Sequence, residues 1–231
     1  LMALGVDPAD ALGSSMARAG GYSDGRDIGA ALNYPNKTDA SAFPMCGGVG
    51  APYTPTVGWA QAVEYRRTVL KEPGWDDAIG VVLGGDASCA TGGFWSSLTI
   101  ATTLKLPMLF YIEDNGYGIS VPSTYQTPGA NIAKNLESFT GLHILQGDGS
   151  EPAEAARLVA QATDYVRARK GPVLLRLTVP RLQGHSAQDT QAYKDPDFVA
   201  AEWARDPLPK LKSYLIGSVM DAAEWDAVEA Q

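Results

Sequence analysis

The chain has 231 residues, 45% of them hydrophobic and 19% charged, with 25 glycines and 15 prolines. That composition builds one globular domain of good size with many tight turns, and excludes a disordered or coiled-coil chain. Eighteen Lys and Arg against 26 Asp and Glu leave a charge of −8 with no basic run, so nothing supports nucleic-acid binding. Two cysteines, Cys46 and Cys89, exclude a disulfide framework and a four-thiolate zinc site. No apolar stretch could span a bilayer and the N-terminus lacks a signal-peptide layout, so a soluble chain in a reducing compartment is expected.

Residues 1–19 read as a helix closed at Gly20, and its opening Leu-Met-Ala-Leu-Gly reads as helix interior, so a piece of something longer is expected. From 22 to 55 the pattern dissolves into Gly, Asn, Pro and Asp, the mark of a long functional loop. A helix follows over 56–70, with Val57, Ala60, Val63 and Val69 at helical spacing. The chain then alternates: strand 79–84, helix 93–104, strand 107–112, a brief strand 142–145, helix 152–170 and strand 172–179. Strands alternating with helices of that length predict βαβ units and a parallel sheet, hence an α/β fold. Helical pattern returns over 197–214.

In such a sheet, ligands bind beyond the carboxyl ends of the strands. One strand runs into Gly84-Gly85-Asp86-Ala87-Ser88, another into Glu113-Asp114-Asn115-Gly116-Tyr117. The 29 positions between Asp86 and Asn115 are the length of one βαβ unit. A right-handed crossover brings both to one edge of the sheet. A carboxylate and an amide carbonyl make a sparse, all-oxygen site that suits Mg²⁺ completed by phosphate and water. The turn after Asp86 opens the next helix, whose amides and dipole favour the same anion. The competing reading is ordinary turn chemistry after two strands, which Gly-Gly-Asp and Asp-Asn-Gly also fit.

These residues resemble a known family. The stretch from Gly85-Asp86-Ala87 through Leu106-Pro107 to Asn115-Gly116-Tyr117-Gly118-Ile119-Ser120 is similar to the thiamine-diphosphate motif. The form is that of the alpha subunit of the decarboxylating component of 2-oxo acid dehydrogenase complexes. The resemblance implies a parallel-sheet thiamine-diphosphate-binding fold with helices on both faces and a helical C-terminal tail. It implies that Asp86, Asn115 and the backbone carbonyl of Tyr117 hold Mg²⁺, and that Gly85 and the amides around Ala87 and Ser88 meet the diphosphate. Upstream, Gly47-Gly48-Val49-Gly50 resembles the family segment in which Gly47 and Val49 lie against the cofactor; plain loop packing is the alternative. Downstream, Arg181 to Asp189 resembles the loop that carries an active-site histidine, here His185, which would position or protonate groups during acyl transfer. Tyr193, Trp203, Asp206-Pro207-Leu208-Pro209 and Tyr214-Leu215 resemble the branched-chain type, so branched-chain 2-oxo acids lead as substrate and pyruvate follows.

On this resemblance, 1–231 is a single diphosphate- and Mg²⁺-binding domain that lacks an N-terminal segment, with 181–231 as active-site loop and tail. A beta subunit or fused beta domain supplies the glutamate that activates the aminopyrimidine, in an alpha2-beta2 assembly with a lipoyl-bearing acyltransferase. The implied location is the cytoplasm, or the mitochondrial matrix in a eukaryote. Four features depart from the family pattern. Ala87 replaces a glycine, which matters if that position needs positive φ. Asp114 replaces an asparagine and adds negative charge, unless it faces away. Thr91 stands where a glutamate is usual, and the loop from 25 to 43 has no histidine. A transketolase-like domain and a non-catalytic, interface-forming homologue are the alternatives. Gly147-Asp148-Gly149 imitates the motif, but no asparagine follows Asn135 to complete it, so it reads as a turn capped by Ser150. His143 is expected to be structural or solvated, and Cys89 a buried thiol.

Overall fold

The computed structural model describes residues 5–20, 24–26, 40–43 and 48–230, except the side chains of 14 and 15. They fall into two compact units, Leu1–Pro52 and Tyr53–Gln231. Within the first, helix α1 runs over Pro8–Ser15. It is shorter than the 1–19 expectation because Gly5 at φ 85° and Ala17 at φ 54° bracket it. Asp7 caps it, its Oδ1 accepting from the Ala9 amide at 2.8 Å. Cys46, Gly47 and residues 27–39 lie outside the described residues.

The second unit opens with α2, Tyr53–Tyr65, which continues as a wider π-turn over Arg66–Leu70 and stops at Lys71, φ 57°. Pro55 sits in its first turn, where a missing N–H costs nothing. Then come β1 (Gly80–Gly85), a 3₁₀ turn (Asp86–Ala90), α3 (Gly92–Thr103) and β2 (Met108–Asp114). A two-stranded ribbon follows, β3 (Tyr117–Gly118) with β4 (Val121–Pro122), and then α4 (Ile132–Asn135). The domain's main body ends with β5 (His143–Asp148), α5 (Pro152–Arg167) and β6 (Val173–Thr178). The main sheet is parallel in the order β1-β2-β6-β5. The α/β fold expected from the alternation is therefore present.

The central strands explain themselves. Met108, Phe110, Ile112 and Leu174 point to one face with α2, α3 and α4; Leu109, Leu175 and Leu177 point to the other with α5. Burial on both faces is why β2 and β6 read as continuous apolar runs. Tyr53, Phe94 and Phe110 fill the first face with rings 5.2–6.1 Å apart.

The helical pattern expected over 197–214 is present and is divided in two. It forms α6 (Pro196–Trp203) and α7 (Pro207–Leu215), and α8 (Ala222–Glu229) follows. Pro207 cannot continue a helix, and Asp206 instead caps the next one by accepting from the Leu208 amide at 2.9 Å. Gly147 and Asp148 of the Gly-Asp-Gly imitation end β5 and the turn begins only at Gly149, and Ser150 is not the cap of α5. Glu151 holds the N-cap position of α5, while Asp148 accepts from the Ser150 amide at 2.8 Å and pairs with Arg205 at 3.1 Å.

Candidate active site

Parallel pairing of β1 with β2 sets Gly85 beside Glu113, so Asp86 and Asn115 emerge together from neighbouring strand ends. Asp86 is 4% exposed, and neither of its carboxylate oxygens has a hydrogen-bond partner among the described residues. Burial, and next the nearby charge of Asp114, push its pKa up to about 6; amides of Asp86, Asn115 and Ala87 face it and pull the other way. A buried carboxylate with both oxygens unspent is costly unless a cation meets it. No three His, Cys, Asp or Glu side chains cluster among the described residues, so any cation here depends on mixed oxygen donors.

Such donors are present. Asn115 Oδ1 accepts from the Tyr117 amide at 3.0 Å and keeps a second lone pair. The residue opposite Tyr117 in the ribbon is Pro122, which has no N–H to give to the Tyr117 carbonyl. Ser88 turns inward: its hydroxyl donates to the Gly85 carbonyl at 2.6 Å and meets Tyr53 Oη at 2.7 Å, so only its backbone is left for a ligand. Gly84 leaves no room for a Cβ there, since one would lie 2.3 Å from Tyr53 Oη. Ala87 is not among the residues with positive φ, so alanine replaces glycine without strain. Its methyl packs on Gly118, where an added Cβ would lie 2.7 Å away.

Asp114 does not face away. It is 6% exposed, its Oδ2 accepts from Arg176 Nε at 2.6 Å, and its Oδ1 accepts from the Gly116 amide at 3.1 Å. Ile112 and Asp114 alternate onto the same face of β2, which is why the side chain turns inward. Thr91 begins α3, with Oγ1 donating to the Ser88 carbonyl at 2.8 Å.

Sequence reasoning did not foresee what ties the Asn115–Ser120 tail to the histidine loop. Buried Arg181 donates through Nη1 to the Ile119 carbonyl at 2.6 Å and through Nη2 to Asp189 Oδ2 at 3.3 Å, while its backbone amide meets Glu202 at 2.5 Å. Tyr193 Oη lies 3.0 Å from both the Ile119 carbonyl and Asp189 Oδ2. Ile119 sits at φ 56°, an unfavourable place for a β-branched residue, and this double grip on its carbonyl holds it there. Lys194, 7% exposed and without a hydrogen-bond partner among the described residues, lies over the rings of Tyr117 at 4.8 Å and Phe198 at 5.5 Å. Burial, then Arg181, lowers its pKa.

His185 is exposed in this loop, and its backbone amide donates to Asp189 Oδ2 at 2.7 Å. Asp189 is the loop's knot. Amides of His185 and Gln191, then Tyr193 and Arg181, hold its carboxyl below the usual range. A depressed folded pKa contributes stability above the unfolded value of about 4 and loses it as pH falls through the folded one. Protease cleavage within 182–190 is therefore expected to be slow and flat from pH 8 to 5 and to accelerate below about pH 4, measured with an acid-tolerant protease. Acceleration already by pH 6 would contradict this.

Val49 is exposed in the first unit, in a turn where the Ala51 amide donates to the Gly48 carbonyl at 3.1 Å. His143 stacks on Tyr165 at 4.2 Å, a structural role. Cys89 is buried, and burial pushes its thiol up to about 12, an inert group as expected.

A family model described as "Dehydrogenase E1 component" matches residues 1–231. The chain belongs to this dehydrogenase E1 family. Its similarity is to alpha subunits. It is 31% identical over 191 residues to the chloroplastic pyruvate dehydrogenase E1 component subunit alpha-3 of Arabidopsis thaliana, covering 80% of this chain and 44% of the relative. It is 29% identical over 225 residues to the pyruvate dehydrogenase E1 component subunit alpha of Zymomonas mobilis, covering 97% and 60%. With the 3-methyl-2-oxobutanoate dehydrogenase subunit alpha of Mycobacterium tuberculosis it shares 27% over 179 residues, covering 77% and 46%. The chain thus spans roughly half the length of these E1 relatives. Among its described residues no helix is long and apolar enough to cross a membrane.

Proposed function

We propose that this chain is the alpha part of an E1 enzyme that binds thiamine diphosphate through Mg²⁺ and decarboxylates a 2-oxo acid, passing the acyl group to a lipoyl group. The observation that carries the proposal is Asp86, buried at a strand end with both oxygens unspent beside Asn115. An unpaired pair of oxygens fits a hard cation, and the neutral partners Asn115 and the Tyr117 carbonyl suit one whose other ligands are anionic.

When bound, thiamine diphosphate supplies the nucleophilic carbon and the electron sink for loss of CO₂. This chain's residues do the holding. Asp86, Asn115 and the Tyr117 carbonyl would hold Mg²⁺, while Gly85 and the amides of Ala87 and Ser88, in the 3₁₀ turn before α3, would approach the diphosphate. On the sequence resemblance, Gly47 and Val49 would lie against the cofactor. His185 holds or delivers a proton during acyl transfer. A beta subunit or fused beta domain supplies the glutamate for the aminopyrimidine in an alpha2-beta2 assembly, and a lipoyl-bearing acyltransferase receives the acyl group. The compartment is the cytoplasm or mitochondrial matrix. Branched-chain substrates are favoured by the 206–215 resemblance, and pyruvate is the next choice because relatives of both names match.

The test is calorimetric titration of the chain with thiamine diphosphate and Mg²⁺, with and without a beta partner, followed by turnover of 3-methyl-2-oxobutanoate and pyruvate. Binding in the presence of the partner and decarboxylation of one acid are expected. No binding in any combination would sink the cofactor reading. Binding without turnover of either acid would make the chain a non-catalytic homologue, the reading that Thr91 and Asp114 motivate.

A further inference from the structure

Asp114 puts a second carboxylate next to Asp86 where the family motif has a neutral asparagine. Both side chains are buried, at 6% and 4% exposure, and the charge of Asp114 acts on Asp86. Two carboxylates in one poorly solvated corner repel each other, and both repel an incoming diphosphate. The structure holds an answer on the neighbouring strand. Arg176 of β6 pairs with Asp114 at 2.6 Å, with its own side chain only 13% exposed. On β6 it sits opposite Ile112 of β2, two residues before the end of the pairing and on the face that carries Asp114. Its Nη1 also lies 3.5 Å from Gln146 Oε1, which lies 3.5 Å from Asn131 Nδ2, the N-cap residue of α4.

We propose that Arg176 is a positioning residue of the cation site, cancelling the charge of Asp114 and orienting that carboxylate so that it shapes the turn bearing Asn115 and Tyr117. The two roles use different oxygens. Oδ2 takes the guanidinium, which leaves Oδ1 facing the Gly116 amide at 3.1 Å. Gly116 is at φ 76°, the bend that sets Tyr117 back toward Asp86 after Asn115. Without Arg176 the carboxylate loses the anchor that fixes its rotamer. Asp114 and Arg176 thus act as one unit, and the family's neutral residue is replaced by a neutral pair.

This inference rests on the proposed cofactor site, and its test separates the two. Mn²⁺ replaces Mg²⁺ so that binding with thiamine diphosphate is read by electron paramagnetic resonance, on the chain with its beta partner. Arg176→Met is expected to weaken Mn²⁺ binding about tenfold, or about 1.4 kcal/mol, and to change the bound-Mn²⁺ line shape. The double variant Asp114→Asn/Arg176→Met is expected to return within about threefold of wild type, because an unpaired charge is worse than an absent pair. Thermal melts run alongside. A role confined to stability would lower the melting point of Arg176→Met while leaving Mn²⁺ affinity and line shape unchanged. That result overturns the inference, as does a double variant no better than the single one. A wild type that binds no Mn²⁺ with thiamine diphosphate overturns the cofactor reading and this inference with it.

Discussion

Asp86→Ala is expected to lose Mg²⁺–thiamine diphosphate binding by at least about a hundredfold, since outer-shell partners alone are worth 10- to 100-fold at metal sites. In the ligand-free chain the same change is expected to leave the melting point at or above that of wild type. Neither Asp86 oxygen makes a hydrogen bond among the described residues, so alanine removes a desolvation cost that outweighs the pull of the facing amides of Asp86, Asn115 and Ala87. Most buried polar residues behave in the opposite way, which makes the pair of outcomes diagnostic. Adding cofactor should separate the proteins. At a hundred times its dissociation constant a ligand adds about 2.7 kcal/mol to the protein that binds it, and only wild type should gain. Scanning calorimetry with and without Mg²⁺ and thiamine diphosphate reads both effects. Equal ligand-induced stabilisation of the two proteins would remove Asp86 from the site, and an alanine variant melting well below ligand-free wild type would mean that its role is packing.

The second large effect concerns Arg181. Its side chain is 7% exposed and links three groups: the Ile119 carbonyl, Asp189 and the ring of Tyr117 at 5.9 Å. Arg181→Met keeps the apolar stem and removes the charge. It leaves Asp189 without its ion-pair partner and Ile119 at φ 56° with Tyr193 alone on its carbonyl. Asp189 keeps the His185 and Gln191 amides, so the cost falls on the lost bonds of the buried guanidinium. The expected result is a chemical-denaturation midpoint lowered accordingly, with native-state cleavage within 182–190 at least about tenfold faster. A variant with an unchanged midpoint and an unchanged cleavage rate would show that Tyr193 and the aromatic contacts suffice.

These two residues illustrate what a reader of the sequence can and cannot see. Asp86 was legible because strand ends in a parallel sheet obey strict topology. Gly-Gly-Asp after one β-branched run and Asp-Asn-Gly after the next have one way to meet. The sheet was legible for a similar reason, its central strands being apolar on both faces. Arg181 was read as the first residue of a loop because nothing local marks a side chain whose partners lie 62 and 8 positions away. Asp114 shows the same limit. Alternation gives the face of a strand residue, but only β6 pairing shows that an arginine waits on that face. The division of the tail is a different case. Asp206-Pro207 was present in the sequence as a helix stop and start. Asp221 and Glu224 form a capping box whose Asp-x-x-Glu pattern could have revealed α8.

The shared carbonyl of Ile119 has one more consequence. Ordering residues 115–119 and ordering residues 181–193 are not independent events, because Arg181 and Tyr193 belong to the second and grip the first. A ligand that rigidifies the turn lowers the entropy still to be spent on the loop. By reciprocity of linked equilibria, a partner that docks on the loop must raise the turn's affinity for its ligand by the same factor. Occupancy of the turn and of the loop would then be thermodynamically coupled through the Ile119 carbonyl and the ring of Tyr117.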